Sequence, residues 1–451
     1  MDRVFRNSQI TGALVSLFIL LFFSYGHVFK AISTNVIQFE FRHRHLLFVW
    51  SPLFIILPYL VLKGTKDYLS LTRLLNVMGS FLLFLSLAHV MLYELNTRNL
   101  WNPQEILSGH PAFENQAQSR DIYYIILDSY GSDRVLKDYY GYDNGQFISW
   151  LQEAGFFVPE ESFSNYSTTT LSLASSLNMT YIDNPNHNVA EQSDDLEILF
   201  QMIENSAVMQ FLRMEGYHFI FLGSGRGISQ ENRFADEDIR CGDFDETMGR
   251  FIDTTFLKAF ADQTFLLEKD ERVRILCMFS ELETIPDRDG SNFVFAHFPS
   301  PHRPILFDAH GNPVHEPNLS GQKLKAGYID QLIFITNKVR ELIDAILLNS
   351  EIDPIIIIQA DTGPLYARRG PISIDDTSPD VFRERMGILH ALYLPDNGRA
   401  VLYNSITPVN TFRLLFNFYF GTEFDRLEDE LLFFYEDSYQ FLNVSATVRG
   451  D

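Results

Sequence analysis

Three apolar segments of this chain stop on an acid or a histidine. "IYYIILDSYG" runs into Asp128, "NFVFAHFPSPHRP" into His297 with His302 in the loop beyond, and "IIIIQADTGP" into Asp361. A fourth segment, "SNYSTTTLSLASSLNM" (Ser164 to Met179), sets hydroxyls ahead of a helix-like stretch. A hydroxyl there is suited to attack an anionic centre, because the free N–H groups of a helix start hold negative charge. Each residue also has a plainer role. Asp128 and Asp361 can make turns, His297 can be an interior histidine, His302 a loop residue, and the hydroxyls helix caps. The triplet Asp361-Thr362-Gly363 is that of aspartic proteases. Those enzymes need two such acids sharing a proton in an all-β fold. The chain has no second Asp-Thr-Gly or Asp-Ser-Gly.

The elements that must position these residues read as alternating strands and helices from Asp121 onward, the pattern of an α/β sheet. Continuous apolar runs suit buried parallel strands. "RMGILHALYLP" is a further strand, leading to Pro395. Ahead of the isoleucine strand, Leu332, Ile335, Val339, Leu342 and Ile346 recur at helical spacing and predict one buried helix face. In open α/β sheets, ligands bind at the C-terminal edge of the strands, where Asp128, His297 and Asp361 fall.

The first hundred residues differ in kind. Ile10–Phe29, Leu46–Leu62 and Leu74–Leu95 are apolar runs near the length that crosses about 30 Å of hydrocarbon. The expected organisation is therefore three transmembrane helices over 1–95, a linker over 96–120 and a single large domain over 121–451. Five basic residues flank one side of the spans (Arg3, Arg6, Lys63, Lys66, Arg73); on the other side three lie in the loop (Lys30, Arg42, Arg44), with Arg98 beyond the third span. That asymmetry puts the N-terminus inside and the large domain outside the cytoplasm. Residues beyond 99 carry 26 basic against 54 acidic side chains. So acidic a domain repels a phosphate backbone, which argues against nucleic acid as a partner. An anionic substrate would need a local metal or arginines. The two cysteines, Cys241 and Cys277, can pair but build no disulfide framework.

"DIYYIILDSYG", "SNYSTTTLSLASSLNM", "FAHFPSPHRPILFDAHGNP", "IIIIQADTGP" and "SITPVNTFRLLFNFYFGT" follow one another in an order that resembles the membrane-anchored sulfatase-like proteins of the alkaline phosphatase superfamily. Lipoteichoic acid synthases and phosphoethanolamine transferases belong to the same superfamily. The resemblance covers nearly the whole chain and extends to "FFSYGHVF" in the first span. It implies an α/β sandwich, a mixed sheet with helices on both faces, and a metal at the C-terminal edge. By resemblance, Asp128, Thr169 and Asp361 are the metal ligands. Thr169, flanked by Thr168 and Thr170, is the nucleophile. His302 matches a histidine that contacts metal or substrate, and it is assigned with His297 to substrate binding. Where the family has Asp-His-Gly, this chain has Asp361-Thr362-Gly363.

That substitution leaves an all-oxygen ligand set, which favours Mn, Mg or Ca over Zn, or an empty site. His390 reads as a core histidine rather than a substitute ligand. Arg303, Arg368 and Arg369 lie near the site in sequence and can grip an anion. No Cys/Ser-x-Pro-x-Arg motif of formylglycine sulfatases occurs. The expected activity is therefore a hydrolase or transferase acting on a phosphate, rather than sulfate, ester of an envelope lipid or glycan. The alternative is a degenerate, non-catalytic member acting as a binding or assembly protein.

Overall fold

The computed structural model describes residues 8–35, 42–64, 68–96, 100–109, 120–182, 197–315, 319–366, 378–435 and 440–450. The chain divides into two compact units: Met1–Arg98 with Phe244–Lys269, and Asn99–Asp243 with Asp270–Asp451.

In the first unit the three apolar runs are helices α1 (Ser8–Asn35), α2 (His43–Gly64) and α3 (Tyr68–Asn96). Each is long and apolar enough to cross a membrane. Pro52 and Pro58 lie inside α2 without ending it. The chain returns to this unit as two short helices, Glu246–Thr254 and Lys258–Thr264, which nothing in the sequence pattern predicted. They pack closely on α1. A Cβ on Gly26 would lie 2.0 Å from the Asp253 carbonyl oxygen, so only glycine permits that approach.

In the second unit, six strands form one sheet: β1 (Ile122–Leu127), β2 (His218–Leu222), β3 (Glu237–Asp238), β4 (Asn292–Phe298), β5 (Ile355–Gln359) and β6 (His390–Tyr393). Their order is β3-β2-β4-β1-β5-β6. All neighbours are parallel except β5 and β6. Every residue of β1, β4 and β5 is buried, because helices cover both faces. Ile122, Tyr124, Ile126, Phe293, Phe295, Ile355 and Ile357 form one face, against helix α4 (Thr169–Asn178) and helix Pro408–Phe420. The alternate residues form the other face, against the long helix Gly321–Asn349. Leu332, Ile335, Val339, Leu342 and Ile346 of that helix are fully buried. This is the mixed sheet with helices on both faces that the resemblance implied.

The strands β2 and β3 escaped the sequence reading; runs of five and two residues between helices carry too little periodicity. Trp101 and Leu107, inside the stretch expected as a linker, are buried in this core, and the Trp101 indole donates to the Asn205 carbonyl.

The glycine of the Asp-Thr-Gly triplet has a packing role. Its N–H donates to the Arg385 carbonyl at 2.7 Å. A Cβ there would meet the Glu384 carbonyl oxygen at 2.1 Å and that of Gly387 at 2.7 Å. Those atoms are backbone and cannot rotate aside. Gly363→Ala is therefore expected to destabilise the fold by about 1–3 kcal/mol, measured as a lowered denaturant midpoint with an unchanged m-value.

Candidate functional site

Period two along the strands brings the candidates together. Asp128 lies two residues beyond Ile126, and Asp361 two beyond Gln359, so both share parity with the face covered by α4. His297 pairs with Ile126 in the parallel register of β1 and β4. Asp128, His297 and Asp361 each offer one ligand atom within 4.8 Å of the others. Thr169, the first residue of α4, donates its hydroxyl to Asp361 Oδ2. The backbone N–H of Ser129 donates to Asp361 Oδ1 at 3.1 Å, and the Ser129 hydroxyl to Asp128 Oδ1 at 3.0 Å. Ser129 reaches both acids from the left-handed region, with φ of 64°. A non-glycine residue held there costs on the order of 1–3 kcal/mol. Tyr328 of the long helix supports the turn by donating to the Ser129 carbonyl at 2.9 Å.

The electrostatics follow from two acids held close together, Asp361 fully buried and Asp128 partly exposed. Burial, and then Asp361, push the Asp128 carboxyl up to about 7. His297, the Ser129 hydroxyl and Arg385 pull the other way. Burial lowers the pKa of His297, which keeps its ring neutral at neutral pH. Its Nδ1 lies 2.7 Å from Ser229 Oγ, which in turn lies 2.7 Å from Ser224 Oγ. With Nδ1–H donating to Ser229, the lone pair sits on Nε2. Nε2 is buried and has no hydrogen-bond partner among the described residues.

An orphaned imidazole nitrogen beside two carboxylates fits a divalent cation. One ion would satisfy the nitrogen and offset the repulsion between the acids, and Ser229 would fix the tautomer as partners of metal-bound histidines do. The preference for Mn, Mg or Ca rested on an all-oxygen set. An imidazole in the group removes the ground for disfavouring zinc.

The remaining candidates fall as follows. The His302 N–H donates to the Asp128 carbonyl at 3.0 Å, and its Nδ1 lies 2.6 Å from the Arg303 carbonyl oxygen. Burial and Arg385 lower its pKa. It stands beside the three-residue group and is not part of it. Thr362 is fully buried, and its hydroxyl has no partner among the described residues. His390 sits in the core with Nε2 3.2 Å from Thr411 Oγ1, and burial lowers its pKa to about 4. Arg303 is exposed, and Arg368 and Arg369 lie outside the described residues.

Sequence reasoning missed Arg385 and Ser229. Arg385 bridges the hydroxyl-rich loop and the Asp-Thr-Gly turn, donating Nε to the Ser167 carbonyl and Nη1 to that of Gly363. Neither residue belongs to a spaced motif. Only their place in the fold marks them.

No family model matches the chain, and no curated protein sequence matches it. Its structural neighbours are phosphoethanolamine transferases and sulfatases. The C-terminal periplasmic domain of EcEptC from Escherichia coli is 12% identical, covers 73% of this chain and 92% of its own, and superposes with a TM-score of 0.46. The C-terminal periplasmic domain of the phosphoethanolamine transferase EptC from Campylobacter jejuni is 13% identical, with 68% and 91% covered and a score of 0.43. A 2-O GAG sulfatase is 11% identical, with 74% and 75% covered and a score of 0.42. All three scores lie below 0.5, so the chemistry assigned below rests on the site's own residues.

Two measurements follow. The folded Asp128 carboxyl titrates above its unfolded value of 3.8. It therefore contributes stability that is present below about pH 4 and lost as pH rises through about 7. Without metal, the melting temperature is expected to fall across that window. A saturating divalent cation should flatten the profile, because binding displaces the same proton. For Thr362, the isosteric change Thr362→Val removes a buried hydroxyl with no partner. We expect an unchanged or slightly raised stability, by up to about 1–2 kcal/mol, and unaltered metal affinity by calorimetry. A tenfold loss of affinity would instead make the hydroxyl a ligand.

Proposed function

We propose that this chain is a membrane-anchored, metal-dependent phosphoester hydrolase or phosphotransferase of the alkaline phosphatase superfamily. Its nucleophile is Thr169, and its substrate is a phosphate ester of an envelope lipid or glycan. One observation carries the reading: a threonine hydroxyl at a helix start, hydrogen-bonded to Asp361, beside the Asp128–His297–Asp361 group. Asp128, His297 and Asp361, with Thr169 Oγ1, would hold the divalent ion. Once bound, such an ion lowers the pKa of a coordinated hydroxyl and stabilises charge on phosphoryl oxygens.

The chain's own residues supply the rest. Asp361 orients the Thr169 oxygen and takes up its proton. The Oγ1–P bond forms as the bond to the leaving oxygen breaks, giving phosphothreonine. Water or an acceptor hydroxyl then takes the phosphoryl group and restores Thr169. The first N–H groups of α4 face the anion without a side-chain cap from Thr168. Arg385 adds positive charge for the phosphoryl oxygens, and neutral His302, whose Nδ1–H is taken by the Arg303 carbonyl, offers Nε2 as an acceptor for a substrate hydroxyl. The pairing of Cys241 with Cys277 in this unit supports an oxidising, extracytoplasmic setting, in line with the basic residues around the spans.

The test uses the full-length protein in micelles with Mn²⁺, Zn²⁺ or Mg²⁺ and a panel of phosphomonoesters, phosphodiesters and sulfate esters. Expected are metal-dependent phosphoester turnover, phosphothreonine at Thr169 in quenched samples by mass spectrometry, and loss of more than about 1000-fold in Thr169→Ala. Metal binding without turnover of any ester would favour the non-catalytic binding or assembly reading. Absence of metal binding would refute the site.

A further inference from the structure

The two short helices that rejoin the first unit, Glu246–Thr254 and Lys258–Thr264, carry more apolar surface than their packing uses. Ile252, Ala259 and Ala261 are buried. Met248, Phe251, Leu257 and Phe260 are exposed by 43%, 39%, 39% and 55%. Four large apolar side chains on 26 residues are a costly face to show water.

The surroundings say what covers them. Phe256 N–H donates to the Phe22 carbonyl of α1 at 2.8 Å, and the Phe256 ring packs against Tyr25 and Phe54. Phe251 meets Phe23 edge to face, with centroids 5.8 Å apart. Phe23 is itself 43% exposed on a helix of membrane-crossing length. The exposed side of the hairpin is thus continuous with the outward surface of α1, which in a bilayer meets lipid.

The charges of the hairpin fit the same setting. Arg250 pairs with Glu246, and Lys258 with Asp253 at 2.6 Å. Asp262 is held by His43 of α2 at 2.7 Å, whose other ring nitrogen lies 3.0 Å from Tyr25 Oη. Five of the eight charged residues of 244–269 are thus paired in place, next to aromatic rings, an arrangement tolerated at a membrane interface. Helices of nine and seven residues, about 14 and 10 Å long, cannot span the bilayer.

We propose that residues 244–269 are a membrane-seated hairpin, docked on α1 and α2 with Met248, Phe251, Leu257 and Phe260 in lipid. The seat gives the acidic domain a second covalent tie to the membrane besides the chain end at α3. It belongs to the first unit and does not depend on the phosphoester reading.

The test places single tryptophans, Phe251→Trp and Phe260→Trp, in the full chain reconstituted into dioleoylphosphatidylcholine vesicles. Leu348→Trp, at a position 83% exposed in the other unit, is the control. The native tryptophans are subtracted with the wild-type protein. Brominated phosphatidylcholine is expected to quench the 251 and 260 difference emission at least twofold, with little effect of aqueous iodide and the reverse for Leu348→Trp. Quenching of both positions by iodide and not by bromolipid would overturn the proposal. So would protection from both quenchers, which would put a second protein surface over the patch. Two positions keep the test decisive if one variant fails to fold.

Discussion

Asp128 and Asp361 follow neighbouring parallel strands, and their carboxyl groups meet where Asp361 is fully buried and Asp128 only partly exposed. Like charges so close repel strongly in a low dielectric. Most of the surrounding structure answers that repulsion. The Ser129 backbone N–H and hydroxyl, the Thr169 hydroxyl, the Arg385 guanidinium and the His297 ring all face the pair. In an aspartic protease a shared proton relieves the same conflict. Here an imidazole nitrogen without a hydrogen-bond partner among the described residues stands beside the pair, an arrangement that suits a cation.

The imidazole does not come from where the triplet would place it. Position 362 carries a threonine, fully buried and without a partner. His297 reaches the acids from β4, on the other side of β1. Its parity with Phe293 and Phe295 turns it to the α4 face, with Nδ1 2.7 Å from Ser229 Oγ. Parallel strands lie about 4.8 Å apart, near enough for side chains at the ends of neighbouring strands to converge on one point.

The long helix on the opposite face shapes the site through polar side chains on an otherwise apolar stripe. Tyr328 holds the Ser129 turn. Gln331, fully buried, accepts from the Leu306 and Phe307 N–H groups and donates to the Pro301 and His302 carbonyls. A buried amide with its donors and acceptors matched is costly to disturb, so the His302 loop has a defined course. Gly363 completes the frame by allowing the Asp-Thr-Gly turn to touch the backbone of residues 384–387.

The sequence by itself determined the α/β layering, the three membrane-length helices and the acids at the strand ends. These depend on local period and run length, which a linear string carries in full. It also contained the parity that puts Asp128, His297 and Asp361 on one face. The register between strands, however, is a property of pairing, and only the folded sheet set His297 opposite Ile126. The roles of Arg385 and Ser229, and the return of residues 244–269 to the membrane helices, were likewise decided by tertiary structure. Each rests on contacts between segments tens to hundreds of residues apart, such as Arg385 with Ser167 and Asp262 with His43. No local pattern encodes such contacts, because they form only when the hydrophobic faces of separate elements are buried against one another.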